Sequence, residues 1–223
     1  MISIDQHKES LNQTGLEMLQ LCGKQLNNSW QAFSTNDNDL AEAVLRAEKR
    51  VNALEIRIER DCERFIALYN PVAGDLRFAL ALMKINFNLE RIGDHAYGIS
   101  KYITEVDTPI AQELYDKMRI REMFESVLSM FEDITDAYTE TDSIRARKVF
   151  KKDKVLDKIN MQAFAIIAAE VKKEPELVDQ YLLLFSVLKK LERIGDHLTN
   201  IAEEIIFIRE AEIVKHRKPK KPN

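Results

Sequence analysis

Glycine and proline are sparse in this sequence, 6 and 5 in 223 residues, while 45% of positions are hydrophobic and 31% are charged. That balance excludes a disordered chain and suits a helical, well-packed, soluble protein. Cysteine is nearly absent: Cys22 and Cys62 cannot make a disulfide framework, and they fit a reducing compartment. Long apolar runs are missing too. The stretch Ile205–Ile208 is far short of the roughly 20 residues that span a bilayer, so any membrane association is expected to be indirect. The opening MISIDQHKES has neither a basic nor an apolar signal region, so no secretion signal is expected. Charge of one sign does not accumulate. A formal net charge of -4 gives no global reason to expect nucleic acid or an anionic surface as partner.

What is present is helical periodicity. Six helices and no strand are predicted, over roughly 4–33, 38–69, 75–106, 109–138, 142–172 and 175–214. Breakers separate them: a polar run at 34–39, AsnPro at 70–71, AspThrPro at 107–109 and GluPro at 174–175. In the third helix Phe78, Leu82, Ile85, Leu89, Ile92, Ala96, Ile99 and Ile103 alternate steps of four and three. In the sixth, Leu184, Val187, Leu191, Ile194, Leu198, Ile201, Ile205 and Ile208 do the same. The second carries Val44, Ala47, Val51, Leu54 and Ile58 in a similar row. These are seams of helices packed lengthwise in a bundle. The tail 215–223 is basic and proline-containing, and is read as a disordered, solvated end.

The chain repeats itself. LeuGluArgIleGlyAspHis occurs at 89–95 and again at 191–197. An offset of 105 further pairs Phe33 with Tyr138, Asp37 with Asp142, Val44 with Val149, Glu48 with Asp153 and Asn52 with Asp157. The expected architecture is all-α: two tandem, pseudo-symmetric three-helix bundles, residues 1–106 and 107–214.

The repeated acids are four apart, Glu90 with Asp94 and Glu192 with Asp196, so each pair shares a helix face. The preceding helices carry Glu48 with Asn52 and Asp153 with Asp157 at the same spacing. Antiparallel neighbours are level where their residue numbers share one sum. Glu48 with Asp94 and Asn52 with Glu90 share 142, centred on Pro71; Asp153 with Asp196 and Asp157 with Glu192 share 349, centred between Glu174 and Pro175. Each unit therefore gathers four oxygen-bearing side chains. The heptad register places them outside the apolar seam, in an outer groove open to solvent or a partner. Such oxygen sets suit hard cations, Mg²⁺, Ca²⁺ and Mn²⁺, or carboxylate-held iron. Salt bridging through Arg91 and Arg193 is the plainer alternative.

Gly93 and Gly195 sit in mid-helix at a cost of about 1 kcal/mol each relative to Ala, which points to close approach of a helix or a ligand. His95 and His197 are read as capping or surface residues before auxiliary ligands. Trp30 and Cys62 are read as core residues.

The duplicated LeuGluArgIleGlyAspHis, the ProValAlaGlyAspLeuArg at 71–77 and the IleAlaGlu at 201–203 resemble the PhoU family, accessory regulators of bacterial phosphate uptake, over about residues 5 to 214. The resemblance implies a fold of two similar three-helix bundles. It implies surface metal clusters on Glu90 with Asp94 and on Glu192 with Asp196, partnered by Asp153 with Asp157 and by Glu48 with Asn52. The metal would be iron, manganese, magnesium or zinc. Asn52 stands where the family pattern has Asp, and its amide brings no charge, so the first site is expected to be the weaker; Gly98, where the second copy has Asn200, is another departure in the first unit. The implied role is negative regulation of phosphate uptake and phosphate-starvation signalling, without enzymatic activity. The implied setting is a cytoplasmic homodimer at the inner membrane face, between the ATPase of a phosphate ABC transporter and a sensor histidine kinase, with no nucleic acid bound. The competing reading is a metal-dependent hydrolase or oxidase using the carboxylate clusters. Against it stand the lack of a nucleophile–base pair and of a phosphate-binding glycine loop.

Overall fold

The computed structural model describes residues 3–105 and 110–214. Among these residues the chain forms seven α-helices, one 3-10 turn and no strand. The first unit is α1 (Ile4–Thr35), α2 (Asn38–Tyr69) and α3 (Ala73–Glu105). The second is α4 (Gln112–Lys117), α5 (Ile120–Glu140), α6 (Ser143–Glu170) and α7 (Val178–Glu210), with the 3-10 turn at Pro175–Leu177.

The repeat reaches down to cap chemistry. Asn36 and Thr141, 105 residues apart, both adopt the left-handed conformation, with φ of 54° and 50°, and each ends a helix. The next residue in each unit is an aspartate whose carboxylate accepts from the helix it opens: Asp37 from Leu40 N at 2.9 Å, Asp142 from Ile144 N at 2.8 Å and Arg145 N at 3.1 Å. Each such cap contributes about 1 kcal/mol. At the chain's start, Ser3 and Gln6 form a reciprocal capping box.

The predicted seams are the core. All eight named seam residues of α3 are buried, as are those of α7 from Leu184 to Ile205 and all of those of α2 except Ala47; Ile208 packs against the edge. The two units join along α3 and α7. Rising numbers on α3 meet falling numbers on α7: Lys84 pairs with Glu204, Asn88 Oδ1 accepts from Asn200, and Lys190 lies over the ring of Tyr102. The two helices are therefore antiparallel, as a two-fold relation between the units requires.

The structure departs from the sequence reading at one break and at two helix ends. The single fourth helix expected over 109–138 is broken between α4 and α5, where Arg119 takes a φ of 54°. No Gly or Pro marks that break. Tertiary contacts hold it instead: Leu114 and Met118 are buried, Tyr115 donates to the Phe33 carbonyl at 3.2 Å, and the Arg119 guanidinium is fixed by Glu122 and Gln162. α6 stops at Glu170 and α7 at Glu210, within a turn or so of the expected ends. The expected boundary at 106/107 and the basic tail at 215–223 lie outside the described residues.

Candidate metal centre

The two mid-helix glycines explain how the acids come together. A Cβ on Gly195 would lie 2.4 Å from Leu156 Cδ1 and 3.0 Å from Asp153 Oδ1. On Gly93 it would lie 3.0 Å from Gln25 Oε1, 3.2 Å from Val51 Cγ1 and 3.6 Å from Glu48 Oε2. Each glycine thus lets the preceding helix, α6 or α2, come close enough to bring its own acid beside the repeated pair.

In the first unit, Glu48, Glu90 and Asp94 each offer an oxygen, and these oxygens lie within 4.8 Å of one another. Asn52, one turn on from Glu48, is exposed. The cluster is not the open groove that the heptad register predicts. Glu48 and Glu90 are only 9% and 7% exposed, and Asp94 is the accessible member. A two-helix register counts one neighbour per helix, whereas here α1 also packs against α2 and α3, and α7 covers the other side of α3. Gln25 of α1 donates to Glu48 Oε2 at 2.9 Å, leaving Oε1 buried without a well-formed hydrogen bond. Arg91 closes the remaining side, its Nε 2.9 Å from Glu90 Oε2 and its Nη1 2.9 Å from Asp94 Oδ2.

Burial, and then the neighbouring Asp94, push the Glu90 carboxyl up to about 7. Burial also raises Glu48, against the pull of the Gln25 hydrogen bond. Behind the cluster Cys22 donates to the Leu89 carbonyl at 3.3 Å. Burial, with Glu48 and Glu90 beside it, drives its thiol far upward, so it stays protonated and is no ligand.

The second unit brings Asp153, Asp157, Glu192 and Asp196 together more openly. Asp153 is half-buried, Glu192 is partly exposed, and Asp157 and Asp196 are exposed. Burial, followed by Asp157, Asp196 and Glu192, pushes Asp153 up to about 6, and burial with Glu192 and Asp157 raises Asp196. Asn160 donates to Glu192 Oε1 at 3.1 Å, fixing its carboxylate. Among the described residues only the first unit's three acids converge within 4.8 Å; Asp153, Asp157, Glu192 and Asp196 lie close enough to act on one another's charge without converging so tightly.

His95 and His197 are neither caps nor surface residues. Their rings lie 5.7 Å apart, half-buried where α3 meets α7, and His197 Nδ1 is 2.9 Å from Asn88 Oδ1. Burial lowers both, His95 to about 4. Trp30 is half-buried, packed on Phe124 at 4.6 Å with Arg121 over its ring, and Cys62 is buried.

Gln25 escapes a reading of the repeated motif alone. Its signal is a polar residue in an otherwise buried row of α1, at a position whose counterpart in α5, 105 residues on, is Met130.

The geometry defines a class of protein: a tandem three-helix repeat that gathers acids between facing helices in each unit and brings three carboxylates to convergence in the first. The PhoU domain matches residues 16–103 and again 120–205, and the chain belongs to the PhoU family. It is 38% identical over 192 residues to the phosphate-specific transport system accessory protein PhoU homolog of Caulobacter vibrioides, covering 85% of this chain and 82% of that one. The protein of the same name from Borreliella burgdorferi is 36% identical over 196 residues, 86% of this chain and 87% of that one. The crystal structure of PhoU from Pseudomonas aeruginosa superposes with a TM-score of 0.86 at 28% identity, over 94% of this chain and all of that one. That of the phosphate transport system regulatory protein PhoU from Streptococcus pneumoniae gives 0.83 at 26% identity, over 95% and 99%. Among the described residues no helix is long and apolar enough to cross a membrane.

Proposed function

We propose that this chain is a regulatory accessory protein of phosphate transport and that its carboxylate clusters hold metal. Family membership supports the regulatory role. One observation carries the metal: three carboxylates converge within 4.8 Å in the first unit while the buried Oε1 of Glu48 lacks a well-formed hydrogen bond, with Asn52 nearby. A poorly met buried acceptor facing two further acids is costly without a cation to share. The donors are oxygens only, which suits magnesium, manganese or iron better than zinc. Glu48, Glu90 and Asp94 would hold it in the first unit, and Asp153, Asp157, Glu192 and Asp196 in the second. A bound ion supplies positive charge and fixes the carboxylates; it reverses the sign of two acidic patches.

On this reading the protein is a non-enzymatic adaptor in the cytoplasm, homodimeric and drawn to the membrane face by its partners. It couples the ATPase of a phosphate ABC transporter to a sensor histidine kinase and restrains both when phosphate is plentiful. The test pairs elemental analysis with capture. Protein purified without chelator carries metal, and Glu192→Ala/Asp196→Ala loses about half of it. The same variant captures less transporter ATPase and fails to silence a phosphate-starvation reporter in cells lacking the chromosomal copy. Metal-free wild-type protein after exposure to Mg²⁺, Mn²⁺ and Fe²⁺ would overturn the metal assignment. Undiminished capture by the variant would overturn the clusters' part in docking.

A further inference from the structure

The two clusters are built from equivalent residues but neutralised differently. In the first, Arg91 holds Glu90 and Asp94 at 2.9 Å each, two of the three carboxylates that a metal would use. Its guanidinium also lies over the ring of Phe87, 5.3 Å from the centroid. In the second unit the counterpart of Arg91 is Arg193, which is exposed and makes no ion pair among the described residues. The counterpart of Phe87 is Lys189, whose ammonium repels a neighbouring guanidinium and reaches Glu192 Oε2 at 3.8 Å. The sequence therefore gives Arg91 an aromatic seat beside the cluster and gives Arg193 none.

We infer that Arg91 is an internal counterion that competes with metal for the first cluster, so that the two sites load in order. The inference rests on the metal reading above. A guanidinium cannot shed its proton, so it can yield those oxygens only by moving. It cannot stay, because a divalent cation needs the same lone pairs and repels the charge. Its side chain is 44% exposed, which leaves a path to solvent. Once metal enters, Glu48 Oε1 gains a full partner, and the displaced guanidinium stands free at the surface beside Phe87. The second, looser set has four carboxylates, with Lys189 reaching Glu192 and Arg193 acting on Asp196 only through its charge, and it has Asp157 where the first unit has Asn52. It fills at lower metal concentration. The first responds at higher concentration, and its filling moves a positive side chain.

The experiment is calorimetric Mn²⁺ titration of the full chain with Asp157→Asn/Asp196→Asn, which leaves only the first cluster intact. Adding Arg91→Met should tighten Mn²⁺ about tenfold or more, the scale on which residues next to metal ligands act. Arg91→Lys, which keeps charge but loses the fork, should give a smaller gain, and adding Glu48→Gln should remove it. A thermal melt in chelator establishes that each variant is folded. Unchanged or weaker binding in Arg91→Met would overturn the inference, since Arg91 would then support the site. If Mn²⁺ still loads the second cluster of the wild type in that case, only the ordered loading fails. If neither cluster takes Mn²⁺ in any variant, the metal reading fails with it.

Discussion

The rings of His95 and His197, the closing residues of the two copies of one heptapeptide, face each other 5.7 Å apart across the junction of the two units. The contact is pseudo-symmetric. Asn88 of α3 reaches His197 and Asn200, and Lys190 of α7, its counterpart 102 residues on, comes within 2.7 Å of where a Cβ on Gly98 would sit, beside His95. Neither ring can charge cheaply there. His95 is lowered to about 4 by burial, then by His197 and Lys190; His197 is lowered by burial, then by Arg91 and Arg193.

A pH dependence follows from the sign of that shift. Below 6.5 an unfolded histidine binds a proton that the folded one refuses until about 4, so the unfolded state takes up more protons in that window. Stability contributed by the neutral pair is complete above 6.5 and is lost as pH falls toward 4. Replacing both histidines with Gln should remove this component. The Tm difference between wild type and His95→Gln/His197→Gln, measured in chelator, should shrink or reverse on acidification from pH 7.5 to 4.5. A constant difference would mean that the pair does not couple to protons.

That junction marks where sequence reading stops. Periodicity and the 105-residue offset made the bundles, their seams and the equivalence of Asp37 and Asp142 legible, because these depend on neighbours in the chain; that both aspartates are helix caps came only with the structure. The level pairing of acids was legible because a hairpin leaves one register free, and Pro71 and Pro175 pin it. How α3 lies on α7 is a long-range choice that no repeat period encodes, so the histidines were misplaced. The burial of Glu48 and Glu90 was missed for a related reason: it comes from α1, α7 and Arg91, outside the two-helix register. The break at Arg119 had no local signal at all.

The glycine of each heptapeptide copy should resist substitution unequally. Gly195→Ala gains about 1 kcal/mol of helix propensity. Its new methyl, however, meets the fully buried Leu156 at 2.4 Å, and overpacking of this kind typically costs about 1–3 kcal/mol. Gly93→Ala meets its nearest atoms at 3.0 and 3.2 Å and should be milder. Urea unfolding in chelator should rank wild type above Gly93→Ala and Gly93→Ala above Gly195→Ala. Gly195→Ala more stable than wild type would mean that α6 gives way freely.

Gln25 should behave as a support of the first cluster rather than as core filling. It is 1% exposed and supplies the donor to Glu48 Oε2 at 2.9 Å. Gln25→Met installs the residue found at the equivalent position of α5, with similar volume and no donor. It should destabilise the metal-free protein by about 1–3 kcal/mol, the cost of leaving a buried acceptor unmet. In Glu48→Gln, which removes the charge that Gln25 serves, the same change should cost measurably less, and a double-mutant cycle reads that coupling. Additive effects would separate the two residues.

Metal binding should compete with protons at both clusters, in different windows. Coordination requires ionised carboxylates, yet burial and Asp94 hold Glu90 near 7, and burial with Asp157, Asp196 and Glu192 holds Asp153 near 6. In the metal-free fold these groups bind protons that their unfolded forms have already lost at the same pH. Their contribution is therefore most favourable below 4.5 for Glu90 and below 3.8 for Asp153, and it falls as pH rises through 7 and 6 respectively. A divalent ion reverses that trend by stabilising the charged forms. Mn²⁺ affinity should rise from pH 5.5 to 8, the second cluster strengthening first and the first cluster continuing to gain above pH 6.5. Titrations at pH 6 in two buffers of different ionisation enthalpy should show release of about one proton per ion, fading by pH 8. Affinity that stays flat across this range would mean that the ions bind elsewhere on the chain.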